Sequence, residues 1–121
     1  MKAKKIRIGI RDVGDALDGF VAAGEALARG EVVKEEKGVY FTSLEAFRKA
    51  LTPKRLELLH LIKTTQPPSI NNLAKLAHRN IKNVAEDVKY LSQIGLLEIE
   101  EIGRGSAPRV KYDEIDLRIA V

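Results

Sequence analysis

The sequence has no cysteine and no tryptophan, and its aromatic rings are limited to three phenylalanines and three tyrosines. Without a thiol there is no disulfide scaffold, no thiolate metal site, no cysteine nucleophile and no thiol redox sensor. Long apolar runs are missing as well. None approaches the ~18 residues a membrane span needs, and Met1-Lys2-Ala3-Lys4-Lys5 leads into no signal-peptide core. The expectation is a soluble cytoplasmic protein with no membrane partner. Catalytic patterns are equally scarce. The two histidines, His60 and His78, fall in different elements without HxxxH or HxH spacing, there is no Gly-x-Ser-x-Gly elbow, and no carboxylate pair stands out. Gly103-Arg104-Gly105 lacks the spacing of a nucleotide-binding loop, and no helix follows it. Neither an enzyme nor a metal or cofactor site is expected.

What is present is a chain of 121 residues, 45% hydrophobic and 31% charged, enough for one domain with at most an appendage. The net charge of +4 divides into +1 over residues 1–43 and +3 over residues 44–121. A basic balance favours polyanionic partners, but one this small describes an ordinary solvated surface equally well. Charge alone does not decide the function.

Lys4-Lys5-Ile6-Arg7-Ile8-Gly9-Ile10 alternates charge with isoleucine, the period of a strand with one apolar face. Its basic residues, with Lys2 and Arg11, read either as a nucleic-acid arm or as a strand edge kept soluble by lysine. Asp12 caps an expected helix in which Val13, Ala16, Leu17, Phe20, Gly24 and Leu27 recur at helical spacing before Gly30. Lys34-Glu35-Glu36-Lys37-Gly38 reads as a loop, and Val39-Tyr40-Phe41-Thr42 as a strand. From residue 44 the texture is helical. Thr42 and Glu45 fit a capping box for a short helix through Leu51. Thr52 caps the next helix with Pro53 at its first position, and Leu56, Leu59 and Ile62 form its stripe up to Gln66-Pro67-Pro68. Ser69 caps a third helix with Ile70, Leu73, Ala74 and Ala77 inward. After His78-Arg79-Asn80, a fourth helix over residues 81–94 carries Ile81, Val84, Val88, Leu91 and Ile94. Residues 96–100 and 109–112 read as two strands around Gly103-Arg104-Gly105-Ser106-Ala107-Pro108.

Helix, short helix, tight turn, longer helix and β-hairpin is the order of a winged helix-turn-helix. A helix fits the DNA major groove, and a helix packed across it needs a short turn to hold a steep angle. Glycines at 103 and 105 allow the hairpin tip to approach a backbone closely, with Arg104 supplying charge. The expected class is α+β: a small strand–helix–strand element over residues 1–43, for dimerisation or partner binding, and a winged helix-turn-helix over residues 44–121.

Over residues 41–97 the chain resembles predicted transcriptional regulators of bacteria and archaea related to the MarR-type winged-helix group. The stretches that carry the resemblance are Leu51-Thr52-Pro53-Lys54-Arg55-Leu56-Glu57-Leu58-Leu59, Ser69-Ile70-Asn71-Asn72-Leu73-Ala74, Arg79-Asn80-Ile81-Lys82-Asn83-Val84, Asp87-Val88-Lys89-Tyr90-Leu91 and Ile94-Gly95-Leu96-Leu97. The resemblance implies binding of double-stranded DNA through the fourth helix. Asn80, Lys82 and Asn83 then stand at its start, where Asn pairs with adenine and Lys reaches guanine or phosphate. Arg79 grips phosphate from the turn, Asp87 orients Lys82 or Arg79, and Arg104 and Arg109 bind the DNA backbone from the wing at residues 103–109. Plainer readings stand beside these: Asn80 as a helix cap only, and Lys82, Asn83 and Arg104 as solvated surface.

Three functions follow. One is a sequence-specific regulator, a repressor acting as a homodimer because one recognition helix reads only a half-site. Some members of the resembled family lie beside small toxins, so a second is an antitoxin that represses its own operon and binds the toxin with its N-terminal part. The third, suggested by the acidic Glu86 and Asp87, is a winged helix used for protein contacts alone.

Overall fold

The computed structural model describes residues 4–10, 32–35 and 38–120. The helix expected between Asp12 and Gly30 lies outside the described residues, as do Lys2 and Arg11. The chain forms two compact units, one of Met1–Ala50 with Tyr112–Val121 and the other of Leu51–Lys111.

The first unit is a four-stranded sheet. Its strands are β1 (Lys5–Ile10), β2 (Val32–Glu35), β3 (Gly38–Phe41) and β6 (Glu114–Ile119), in the order β2-β3-β1-β6. Strand β1 runs parallel to β3, with Ile8 opposite Val39, and parallel to β6, with Ile8 opposite Leu117. Strand β2 pairs antiparallel with β3. Two sequence expectations change here. Lys34-Glu35, read as loop, belongs to strand β2, and β1 is an interior strand rather than a lysine-guarded edge. Residues 114–119, assigned no element from the sequence, supply its second neighbour.

Ile8, Val39 and Phe41 are buried, as the alternation of the strands requires. On the opposite face Gly9 lies under the Tyr40 ring, where a Cβ would stand 2.6 Å from the ring carbons. Helix α1 (Leu44–Ala50) packs against β3, with the Phe41 and Phe47 rings edge to face at 5.7 Å. Its cap is Ser43 rather than Thr42: the Ser43 Oγ accepts from the Ala46 N–H at 3.0 Å, satisfying a donor of the first turn. Burial pushes the Tyr112 phenol up from its ordinary value. Stability present below pH about 10 is therefore lost as pH rises above it. Tyr112→Phe is expected to remove that part of the alkaline fall in Tm, read from melting curves across pH.

The second unit holds helices α2 (Pro53–Thr65), α3 (Ile70–Ala77) and α4 (Ile81–Gln93), then the two-stranded ribbon β4 (Glu98–Ile102) and β5 (Gly105–Arg109). This is the winged helix-turn-helix expected from the element order. Its core comprises Leu58, Leu59 and Ile62 of α2, Leu73 and Ala74 of α3, and Val84, Val88 and Leu91 of α4, with Ile94, Leu96, Leu97 and Ala107. Leu56 and Ile81, expected inward, are exposed. Leu56-Glu57-Leu58-Leu59 offers more apolar positions than one stripe can use, and packing selects 58 and 59. Ile81 occupies the first turn of α4, beyond the reach of the core.

The ribbon also differs from expectation. Residues 105–108 are strand rather than loop, and the loop shrinks to Gly103-Arg104, since Ile102 pairs with Gly105. Gly103 has φ 58° and Arg104 has no positive φ, the requirement of a type II′ turn with glycine first. Gly105-Ser106-Ala107-Pro108 has little intrinsic strand preference. It is held extended because β5 packs on α2 and α3 and buries Ala107 and Pro108.

Candidate nucleic-acid interface

Each helix of the second unit starts on a local cap. Thr52 Oγ1 accepts from the Arg55 N–H at 3.2 Å, Ser69 Oγ from the Asn72 N–H at 3.1 Å, and Asn80 Oδ1 from the Lys82 N–H at 2.8 Å. Between α3 and α4 stand only His78, Arg79 and Asn80. His78 takes the left-handed conformation at φ 55°, and its N–H reaches the Lys75 carbonyl. The chain thereby reverses within three residues and delivers the start of α4 to the surface.

At that start Asn80, Lys82 and Asn83 are all exposed. Asn80 is a cap through its oxygen, which leaves its amide N–H groups directed elsewhere. Lys82, Glu86 and Lys89 follow at helical spacing and are also exposed, so they share one face. Lys89 was not singled out from the sequence, although its place seven residues after Lys82 marks it. Arg104 stands exposed at the tip of the hairpin.

The remaining three residues turn into the scaffold. Asp87, 15% exposed, accepts from Arg55 Nε at 3.0 Å and from Arg79 Nη2 at 2.9 Å. Those arginines are themselves only 22% and 20% exposed. The Arg55 guanidinium also lies 4.3 Å over the Tyr90 ring, a cation–π contact. Arg79 therefore holds the turn against α4, and Asp87 links that turn to α2. Arg79 Nη1 is buried without a hydrogen-bond partner. Neither Arg55 nor Tyr90 was identified from the sequence. They lie 32 and 3 residues from Asp87, and only the shorter separation leaves a helical signal.

Arg109 anchors the wing. Its Nη1 donates to the Pro67 carbonyl at 2.7 Å and the Pro108 carbonyl at 2.8 Å, while Nε lies 3.6 Å from Glu100. Lys111 adds a second cation 3.7 Å from the same carboxylate. Strand β4 is exposed throughout and carries Glu98, Glu100 and Glu101, so the positive charge at the wing's end belongs to Arg104. The two wing arginines are expected to separate cleanly in thermal denaturation. Arg104→Ala leaves stability within about 0.5 kcal/mol, whereas Arg109→Ala costs about 2 kcal/mol by removing the charge-assisted bonds to the Pro67 and Pro108 carbonyls.

A unit of three helices whose last, α4, begins at a capped and exposed turn, followed by a two-stranded wing, defines the class as winged helix-turn-helix. Within that class, the profile of the HVO_A0114 family matches residues 50–117, more than half of the sequence, and the chain belongs to that family. No curated protein matches the sequence. Among solved structures, the chain is similar to the homodimeric winged helix-turn-helix DNA-binding domain of a possible ArsR-family transcriptional regulator from Mycobacterium bovis. The two are 25% identical with a TM-score of 0.45, over 51% of this chain and 57% of that one. The chain thus spans a little over half the length of that structure. Among the described residues, no helix is long and apolar enough to cross a membrane.

Proposed function

We propose that the protein is a sequence-specific DNA-binding transcriptional regulator, a MarR-related repressor that acts as a dimer. The observation that carries this reading is the exposed start of α4, where Lys82 and Asn83 face solvent on a helix tied to its neighbours through Asp87. Lys82 and Asn83 contact base edges in the major groove, with Asn80 both capping the helix and reaching toward the DNA. Arg104 contacts phosphate beside the groove. Arg79, Asp87 and Arg109 set the positions of the turn, the helix and the wing. The sheet unit serves dimerisation.

Fluorescence anisotropy tests this, using the purified protein with the DNA upstream of its own gene and a scrambled duplex at two salt concentrations. Tighter binding to the upstream duplex that weakens steeply with salt is the expected result. Equal, weak binding to both would overturn the reading and leave the winged helix to protein contacts, for which the exposed acidic β4 would be the surface to examine.

A further inference from the structure

Strand β6 forms one edge of the four-stranded sheet and has β1 as its neighbour on one side only among the described residues. It runs Glu-Ile-Asp-Leu-Arg-Ile without proline, and Leu117 and Ile119 are 41% and 51% exposed. An edge of this length and apolarity is a template for another strand unless something blocks it. Which main-chain groups are free follows from the ladder. The Glu114 N–H donates to the Lys4 carbonyl at 3.2 Å. Alternation along the strand then turns the amides of Glu114, Asp116 and Arg118 toward β1 and those of Ile115, Leu117 and Ile119 outward.

We propose that β6 pairs antiparallel with β6 of a second copy of this chain, about a two-fold axis at Leu117, to make one continuous eight-stranded sheet. Side-chain chemistry selects that register. With Leu117 opposite the partner's Leu117, Ile115 meets the partner's Ile119 on the apolar face. On the other face Asp116 meets the partner's Arg118, and the symmetry supplies this ion pair twice. Moving the register by two residues in one direction sets Asp116 against the partner's Asp116, and in the other Arg118 against the partner's Arg118. Like charges directly opposite are destabilising, whereas apolar and opposite-charge pairs stabilise. The outward amides of Leu117 and its symmetry mate also fall where an antiparallel pair exchanges both hydrogen bonds. The contact is isologous, so it closes at two copies instead of continuing into a fibre.

This inference rests on the dimer of the proposed function and names its interface; it is measured without DNA, so its failure is distinguishable from a failure of the DNA contact. Sedimentation at micromolar concentration is expected to give twice the 13.4 kDa chain mass. Asp116→Arg alone and Arg118→Asp alone each place like charges opposite one another and are expected to sediment as single chains. An equimolar mixture of the two variants restores opposite charges across the two-fold and is expected to return the dimer, as is the double variant in one chain. Circular dichroism checks that each variant is folded. Asp116 lies beside Arg7 in the register, so Leu117→Lys gives an independent arm: it sets two ammonium groups face to face on the axis and is expected to yield a single-chain species. A wild-type protein that sediments only at 13.4 kDa, folded Leu117→Lys or single-reversal variants that stay dimeric, or a folded mixture that stays dissociated would each overturn the proposal. A single-chain protein that still bound its own upstream DNA would overturn this interface and the dimeric part of the proposed function, and leave only the DNA contact standing.

Discussion

Asp87→Ala is expected to lower stability by about 3 kcal/mol and the melting temperature by roughly 10 °C. Asp87 sits between two guanidiniums, with Arg55 Nε at 3.0 Å and Arg79 Nη2 at 2.9 Å, and is 15% exposed. Removing it takes from two cations, each about four-fifths covered, the anion they share. The cost of breaking such a pair lies mainly in the uncompensated charge left behind. Among the described residues, Arg79 Nη1 is buried with no acceptor of its own. The same change frees the turn before α4, so affinity for DNA is expected to fall even though the Asp87 carboxylate faces the scaffold. Melting curves with and without Asp87→Ala decide the matter. A loss below about 1 kcal/mol would mean that solvent screens the network as it does a surface ion pair.

Lys82→Ala with Asn83→Ala is expected to behave in the opposite manner. Both side chains are exposed, so the double variant should melt within about 0.5 kcal/mol of the parent. Its affinity for the upstream duplex is expected to drop about ten- to a hundredfold, because a base-edge contact contributes about 1–3 kcal/mol of discrimination. The salt dependence should fall by about one ion for the lost lysine. Most of the loss should appear as a smaller gap between the upstream and scrambled duplexes. Unchanged affinity in anisotropy titrations would remove α4 from the groove and favour a protein-contact role.

The helices of the second unit were legible because their signals are local. Thr52 before Pro53, Ser69 and Asn80 cap their helices through bonds spanning two or three residues, and the α4 stripe of Val84, Val88 and Leu91 repeats at 3.6-residue spacing. The strands were less legible. Strand β2 hides in a charged run, and Gly105-Ser106-Ala107-Pro108 is extended through packing against propensity. Strand β6 does alternate charged and apolar residues as β1 does, so its signal was present. Its partner, 109 residues away where the Lys4 N–H meets Asp113, was not.

In the candidate site the same division holds among arginines. Arg79, Arg104 and Arg109 are chemically identical, and the sequence could place all three near the turn or wing. The sequence by itself determined where the helices of the second unit begin and that Asn80, Lys82 and Asn83 leave the apolar stripe of α4, because caps and periodicity act within a few residues. Tertiary structure alone decided that Arg79 and Arg109 turn inward while Arg104 stays in solvent. The reason is the position of acceptors: Asp87 and the Pro67 carbonyl lie 8 and 42 residues from the arginines they bind, and a guanidinium follows whichever acceptor the folded chain brings within reach.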